Sequence, residues 1–184
     1  MNVNKKIGLF ILFLPLVLFF GIPTLVYAQF SCSVKGSCAV DETEIFKMSD
    51  LTNAHAGTPA SSYSNVVCCS GVEGLGNSCS GNYEIVLRLS SPDNAHVEDA
   101  GNTNYGTLVC LSSSGNVDCV YSYSNANCPA DYTCLASVSS TDNLFTNAHV
   151  GDCSAYTNKV CCKVPSYCTL EANPSEGIGP FSST

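Results

Sequence analysis

Tryptophan is missing from this 184-residue chain, and basic side chains are few: seven Lys and Arg against fifteen Asp and Glu. A surface of that sign repels nucleic acid and anionic membrane, and both are excluded as partners. No GxSxG, HExxH or glycine-rich phosphate loop occurs, so the familiar hydrolase and nucleotide-binding frameworks are missing. The cysteines form no CxxC pair, which sets aside a tightly spaced zinc site. The EF-hand spacing is absent as well. No Asn-x-Ser/Thr acceptor has a permissible middle residue, since Asn173 precedes Pro174; N-glycosylation is not expected.

What is there begins with an export signal. Met1 to Lys6 is basic, Ile7 to Val26 is nearly unbroken apolar sequence, and Val26-Tyr27-Ala28 suits cleavage before Gln29. Residues 1–28 are therefore expected to be a signal peptide. The alternatives are a retained membrane anchor, since about 20 apolar residues can span a bilayer, or a pilin-like helix. The chain meets a membrane only if this segment is retained. Residues 29–184 hold five basic and fifteen acidic residues, a net charge of about −10. They also hold all thirteen cysteines. In an exported chain that means disulfides and a secreted or cell-surface location.

The body of the chain is a tripled pattern. Asn53-Ala54-His55 is followed by Tyr63 and Val67-Cys68-Cys69; Asn94-Ala95-His96 by Tyr105 and Val109-Cys110; Asn147-Ala148-His149 by Tyr156 and Val160-Cys161-Cys162. The step from Tyr to the next Cys is five residues each time. Cys38 and Cys79 each lie 17 residues before their histidine, and Cys128 lies 21 before His149. Such self-similarity marks a repeated supersecondary unit, here at about 38–69, 79–110 and 128–162. Glu44–Ser49, Ile85–Ser90 and Cys134–Ser139 align as strands. In the second, Tyr83, Ile85, Leu87 and Leu89 alternate with wetter positions that include Val86. Thr107–Leu111 reads as a closing strand. One unit is then two strands joined by a long loop that carries the histidine, and the fold class is all-β: three related, disulfide-stapled units forming one sandwich-like or repeat domain.

A unit of this size cannot bury enough apolar surface to fold alone. Bridging its first cysteine to its last contributes about 3–4 kcal/mol by loop-closure entropy. This predicts Cys38–Cys68, Cys79–Cys110 and Cys128–Cys161. Adjacent residues on a strand face opposite ways, so Cys69 and Cys162 need other partners. The spare cysteines of units one and three suggest Cys32–Cys69 and Cys153–Cys162. Of Cys119, Cys134 and Cys168, two can pair and one is left over. Ser70 to Ser78 reads as a turn, and Cys119 to Tyr123 as an extra strand. Gln29 to Ser37 and the segment beyond Pro165 read as free ends able to add a strand to a neighbour.

Three histidines invite a metal or catalytic reading. A residue present once per unit more often serves each unit, and Asn tolerates left-handed turns while imidazole can pin a loop. The repeat residues Asn53, His55, Tyr63, Asn94, His96, Tyr105, Asn147, His149 and Tyr156 are therefore expected to be structural. The three tyrosines are expected to pack on their own units. No catalytic residue, metal or cofactor is expected. Tyr121, Tyr123 and Tyr132 are the candidates for a surface cluster that could stack on a sugar.

The pattern Asn-Ala-His-Val, Tyr, Val-Cys-Cys resembles a cysteine-rich repeat in predicted secreted or surface proteins of uncultured archaea and small-genome bacteria. Asn147 to Cys162 carries it most fully; the second copy departs at Leu111, and the first has Ala56 where the others have Val97 and Val150. The resemblance implies a surface location and transfers no catalytic residues. The expected role is a structural, non-enzymatic subunit of an extracellular filament or surface layer, partnered by copies of itself through a terminal strand. The competing reading is a secreted monomeric binding module, an adhesin or carbohydrate-binding protein, with glycans as ligand.

Overall fold

The computed structural model describes residues 29–124, 127–140 and 145–165. The signal segment expected at 1–28, and Cys168, lie outside them. Among the described residues the chain is all β, with eleven strands in three antiparallel sheets. Unit 1 holds β1 (Ser31–Lys35), β2 (Thr43–Met48), β3 (Ala56–Gly57) and β4 (Asn65–Ser70), in the order β1-β4-β2-β3. Unit 2 holds β5 (Tyr83–Leu89), β6 (Val97–Glu98) and β7 (Thr107–Ser112), in the order β6-β5-β7. Unit 3 holds β8 (Asp118–Ser122), β9 (Thr133–Val138), β10 (Val150–Gly151) and β11 (Asn158–Lys163), in the order β10-β9-β11-β8. Each unit thus adds to the expected strand pair a two-residue strand directly after its histidine.

The simple alternation expected for the first long strand does not hold. The register of β2 on β4 jumps between Glu44 and Phe46, that of β5 on β7 between Ile85 and Leu87, and Cys134 and Ala136 of β9 take consecutive partners on β11. Ile45, Val86 and Leu135 are therefore the extra residues of three equivalent bulges. A bulge lets two successive side chains turn inward. Val86, read from sequence on the wetter face, is as fully buried as Leu87. Ile45 with Phe46, Val86 with Leu87 and Leu135 with Ala136 are the paired contributions of the units to one shared core.

Six disulfides lock the strands. Cys38–Cys68, Cys79–Cys110, Cys128–Cys161 and Cys32–Cys69 pair as expected. The expected Cys153–Cys162 bridge does not form. Cys162 pairs with Cys119 and Cys153 with Cys134. The reason is register. β8 lies antiparallel to β11 with Cys119 opposite Cys162, as β1 lies on β4 with Cys32 opposite Cys69, and the Cα–Cα separation is 4.1 Å in both. The spare cysteine of unit 3 comes from the strand before the unit, as in unit 1. Such a disulfide density is compatible with an extracellular protein.

The front segment is not a free end. β1 occupies the outer edge of β4, and the Phe30 carbonyl accepts a hydrogen bond of 2.9 Å from the Thr133 hydroxyl of unit 3. β8 likewise touches unit 2, where the Tyr121 hydroxyl donates to the Val86 carbonyl at 2.8 Å. Between units 1 and 2 the linker takes this place. Thr43 donates to the Leu75 carbonyl at 3.0 Å, Asn77 to the Glu44 carbonyl at 2.7 Å, and Gly76 pairs with Ser112.

Candidate functional site on the threefold axis

The three Asn-Ala-His loops meet. Ala54 pairs with Val150, Ala95 with Ala56 and Ala148 with Val97, each pair exchanging two backbone hydrogen bonds of 2.9–3.0 Å. The residue before each histidine therefore bonds the residue after the histidine of the preceding unit, and unit 3 closes onto unit 1. Three outer bonds repeat the symmetry: the Thr58, Asp99 and Asp152 amides donate to the Pro92, Phe145 and Leu51 carbonyls of the next unit at 2.8–3.0 Å.

Alternation along these short extended segments decides where the rings go. Ala54, Ala56, Ala95, Val97, Ala148 and Val150 face the core and are at most 3% exposed. The intervening histidines face the other way and are half-buried. Each is fixed by the serine that ends the preceding long strand. Ser49, Ser90 and Ser139 accept the histidine amide through Oγ at 2.9–3.1 Å and return their own amides to the histidine carbonyl at 3.0 Å.

The imidazoles converge on the axis of this ring. Centroid separations are 4.9, 5.0 and 4.6 Å, and one ring nitrogen of each lies within 4.8 Å of its counterparts. Each Nδ1 reaches the asparagine of the following unit: His55 to Asn94 Oδ1 at 2.5 Å, His96 to the Asn147 carbonyl at 3.2 Å, His149 to the Asn53 carbonyl at 3.2 Å. All three partners are oxygens, so Nδ1 is the donor in each contact, and in the neutral imidazole Nε2 is then the nitrogen with the lone pair. Asn53, Asn94 and Asn147 hold φ near +50° (49°, 48° and 51°), a region Asn enters more readily than most residues. That turn brings the asparagine of each loop to its neighbour's ring, Asn53 and Asn147 through the backbone carbonyl and Asn94 through the side chain.

The tyrosines also cross between units, where sequence reasoning kept them within their own. The Asn53 amide donates to the Tyr156 hydroxyl at 2.8 Å, and the Tyr63 hydroxyl donates to Asn94 Oδ1 at 3.3 Å. Desolvation, with Asp93 nearby, pushes the Tyr63 phenol above its ordinary range. Tyr105 is held by its backbone instead: its amide donates to Glu98 at 2.6 Å and its carbonyl accepts from Arg88 at 3.3 Å. A cation steadies the tyrosine loop in every unit. Lys47 donates to the Ser61 carbonyl at 3.0 Å, Arg88 to those of Ala100 and Tyr105, and Lys159 to those of Cys153 and Tyr156. In unit 3 this cation has moved across the strand pair, where Lys159 stands opposite Ser137. Burial lowers the Lys159 pKa, with Asp152 opposing. The alignment of Lys47 and Arg88 with Ser137 was the available clue.

The tyrosines read as a sugar platform are tied down. Tyr121 accepts from the Ala100 amide at 2.9 Å and packs edge-on against Phe145 at 5.4 Å, and burial drives its pKa far up. Tyr123 donates to Asp99 at 2.7 Å, and Tyr132 donates to Asp118. Cys38 and Cys68, which sit beside Glu42, are bonded to each other and offer no thiolate.

The expectation that each histidine serves its own unit fails in the structure: a linear reading of the repeat does not reveal that it closes into a ring. No family model, curated protein or solved structure matches the chain.

Proposed function

We propose that the chain is an exported structural subunit that assembles with copies of itself by strand addition at the outer edge of β7. The supporting observation is the difference between that edge and its two equivalents. β4 and β11 are covered by β1 and β8, whereas among the described residues the outer edge of β7 pairs only at Ser112, with Gly76. Ser112 both donates to and accepts from Gly76. Backbone groups on a strand alternate sides, so Leu108 and Cys110 present theirs along the same open edge. Such an edge is a template for another strand. The donor we assign is the segment 166–184 of a second copy. β1 is already used within its own sheet, and nineteen residues exceed the five of β1 or β8. The twelve cysteines of the six disulfides leave Cys168 without a further cysteine in this sequence, which suits a covalent lock between copies.

The test is the size of the exported chain in solution and in native extracellular material, by light scattering and electron microscopy. The chain is expected to form oligomers. Leu108→Pro removes an outward amide without touching the ladder to β5 and is expected to leave monomers with all six disulfides. A wild-type chain that stays monomeric and binds a glycan array would replace this reading with the binding-module one.

A further inference from the structure

We infer that His55, His96 and His149 form a binding site for one imidazole-preferring transition-metal ion, with zinc as the first choice, coordinated through the three Nε2 atoms on the axis of the ring. This goes beyond the assembly role and does not depend on it.

Two observations carry it. The three rings converge from separate loops, each loop held by the same serine and alanine contacts. Among the described residues the only hydrogen-bond partner of each ring is at Nδ1, and each is an asparagine oxygen. In the neutral imidazole that leaves one Nε2 lone pair on each ring with no protein donor among the described residues, on three rings that each bring a nitrogen within 4.8 Å of the others. A cation is the ligand that satisfies three convergent acceptors at once. Donating the far ring N–H to a carbonyl is also how metal-binding histidines are oriented and made more basic.

The dimensions allow it. Zinc–nitrogen bonds of about 2.0–2.1 Å in a tetrahedron place nitrogens roughly 3.4 Å apart. The present nitrogens lie within 4.8 Å, so small rotations of half-buried rings close the remainder. Three protein ligands leave the fourth position of a tetrahedral ion to water or an outside anion. Imidazole sets of this kind also take copper and nickel, copper more tightly than zinc. The protein adds no charge of its own through neutral rings, so a bound divalent ion keeps its charge and favours an anionic fourth ligand, a carboxylate or an inorganic anion.

The experiment uses the full exported chain with its disulfides intact, stripped with chelator and titrated with zinc sulfate by calorimetry, then with cobalt or copper for ligand-field and EPR spectra. One ion per chain and a three-nitrogen copper signature are expected. His96→Asn and His149→Asn are the decisive variants. The Asn amide can replace the Nδ1–H donor and preserve the loop contact while removing Nε2. Each is expected to keep the thermal transition of the metal-free protein and to weaken zinc binding at least tenfold. No binding by the wild-type chain at millimolar zinc, or binding unchanged in both variants, overturns the assignment. If an Asn variant unfolds, His96→Gln and His149→Gln take its place: a folded Gln variant is expected to lose at least one nitrogen from the copper signature and bind zinc at least tenfold more weakly, and an unchanged signature with an intact fold overturns the assignment.

Discussion

Units 1 and 3 end their closing strands in Cys68-Cys69 and Cys161-Cys162, where unit 2 has Cys110-Leu111. That substitution goes with a different way of holding the same shape. The outer units use a second inter-strand disulfide to fix a fourth strand. Unit 2 has one disulfide and, among the described residues, no fourth strand, and Leu111 is buried in the core instead. A second contrast lies after the histidines. Units 1 and 3 have Gly57 and Gly151, whose missing side chains let Ser61 and Ala155 come within 2.5 and 2.6 Å of where a Cβ would sit. Unit 2 has Glu98 there, fully buried, its carboxylate accepting from Asn104 at 3.0 Å and from the Tyr105 amide at 2.6 Å. Where the outer units fold their loop back against a bare backbone, the middle one ties it with a carboxylate. One hairpin geometry has thus been reached by covalent, steric and polar means.

The contrast is sharpened most by removing disulfides. Replacing Cys79 and Cys110 by alanine is expected to cost about 3–4 kcal/mol, and replacing Cys119 and Cys162 about the same, by loop-closure entropy. The two should differ in where the protein opens. The first is expected to expose the amides of β5 and β7 to hydrogen exchange ahead of the rest, the second to release β8 alone. Equal protection of unit 2 in both variants would break the comparison. Exchanging the residues after the histidines comes next. Glu98→Gly leaves the Tyr105 amide without its acceptor, and a loss of about 1–3 kcal/mol is expected. Gly57→Glu forces Ser61 away, at a similar cost of about 1–3 kcal/mol. Denaturant titration reads both, and a neutral result in either direction would mean the two solutions are interchangeable.

The pH dependence is the smallest effect. Burial raises the phenols of Tyr121 and Tyr63. The folded state resists their ionisation, so stability is full below about pH 10, the unfolded tyrosine value, and falls above it. On the acid side, Lys35 lowers the Glu42 pKa chiefly through a side-chain hydrogen bond, and Ser154 does the same for Asp152. Groups lowered in this way stabilise above the ordinary carboxylate range and lose that contribution as pH falls through their folded values. Both are part-buried groups near the surface, and the Lys35 partner of Glu42 is 40% exposed, so solvent screening should keep the acid limb shallow. Thermal melting between pH 3 and 11 checks both limbs.

Much of this architecture could be read from residue spacing. The Cys-to-Cys interval of each unit gave its staple, and apolar alternation gave its long strands. The bulges could not be read, because an extra buried Ile45 or Val86 looks like any other strand residue until its partner is known. The Cys119–Cys162 bridge was missed because β8 precedes the unit it completes, although Cys32 offered the precedent. The meeting of the histidines was hidden for a deeper reason. A tandem repeat reads the same whether its units stack in a line or turn back on themselves, and the contacts of unit 3 with unit 1, led by the pairing of Ala54 with Val150, distinguish the two.

That closing pair carries a consequence for how such a chain can change over time. A linear array of repeats gains or loses members at little cost, because each touches only its neighbours. Here the first and last members are neighbours too. A duplicated or deleted copy would have to reopen the circle, re-aim every imidazole and resize the apolar plug beneath. The number three is therefore built into the hub, and variation is confined to the rim, where an added strand, a second cystine or a buried glutamate can be exchanged one unit at a time.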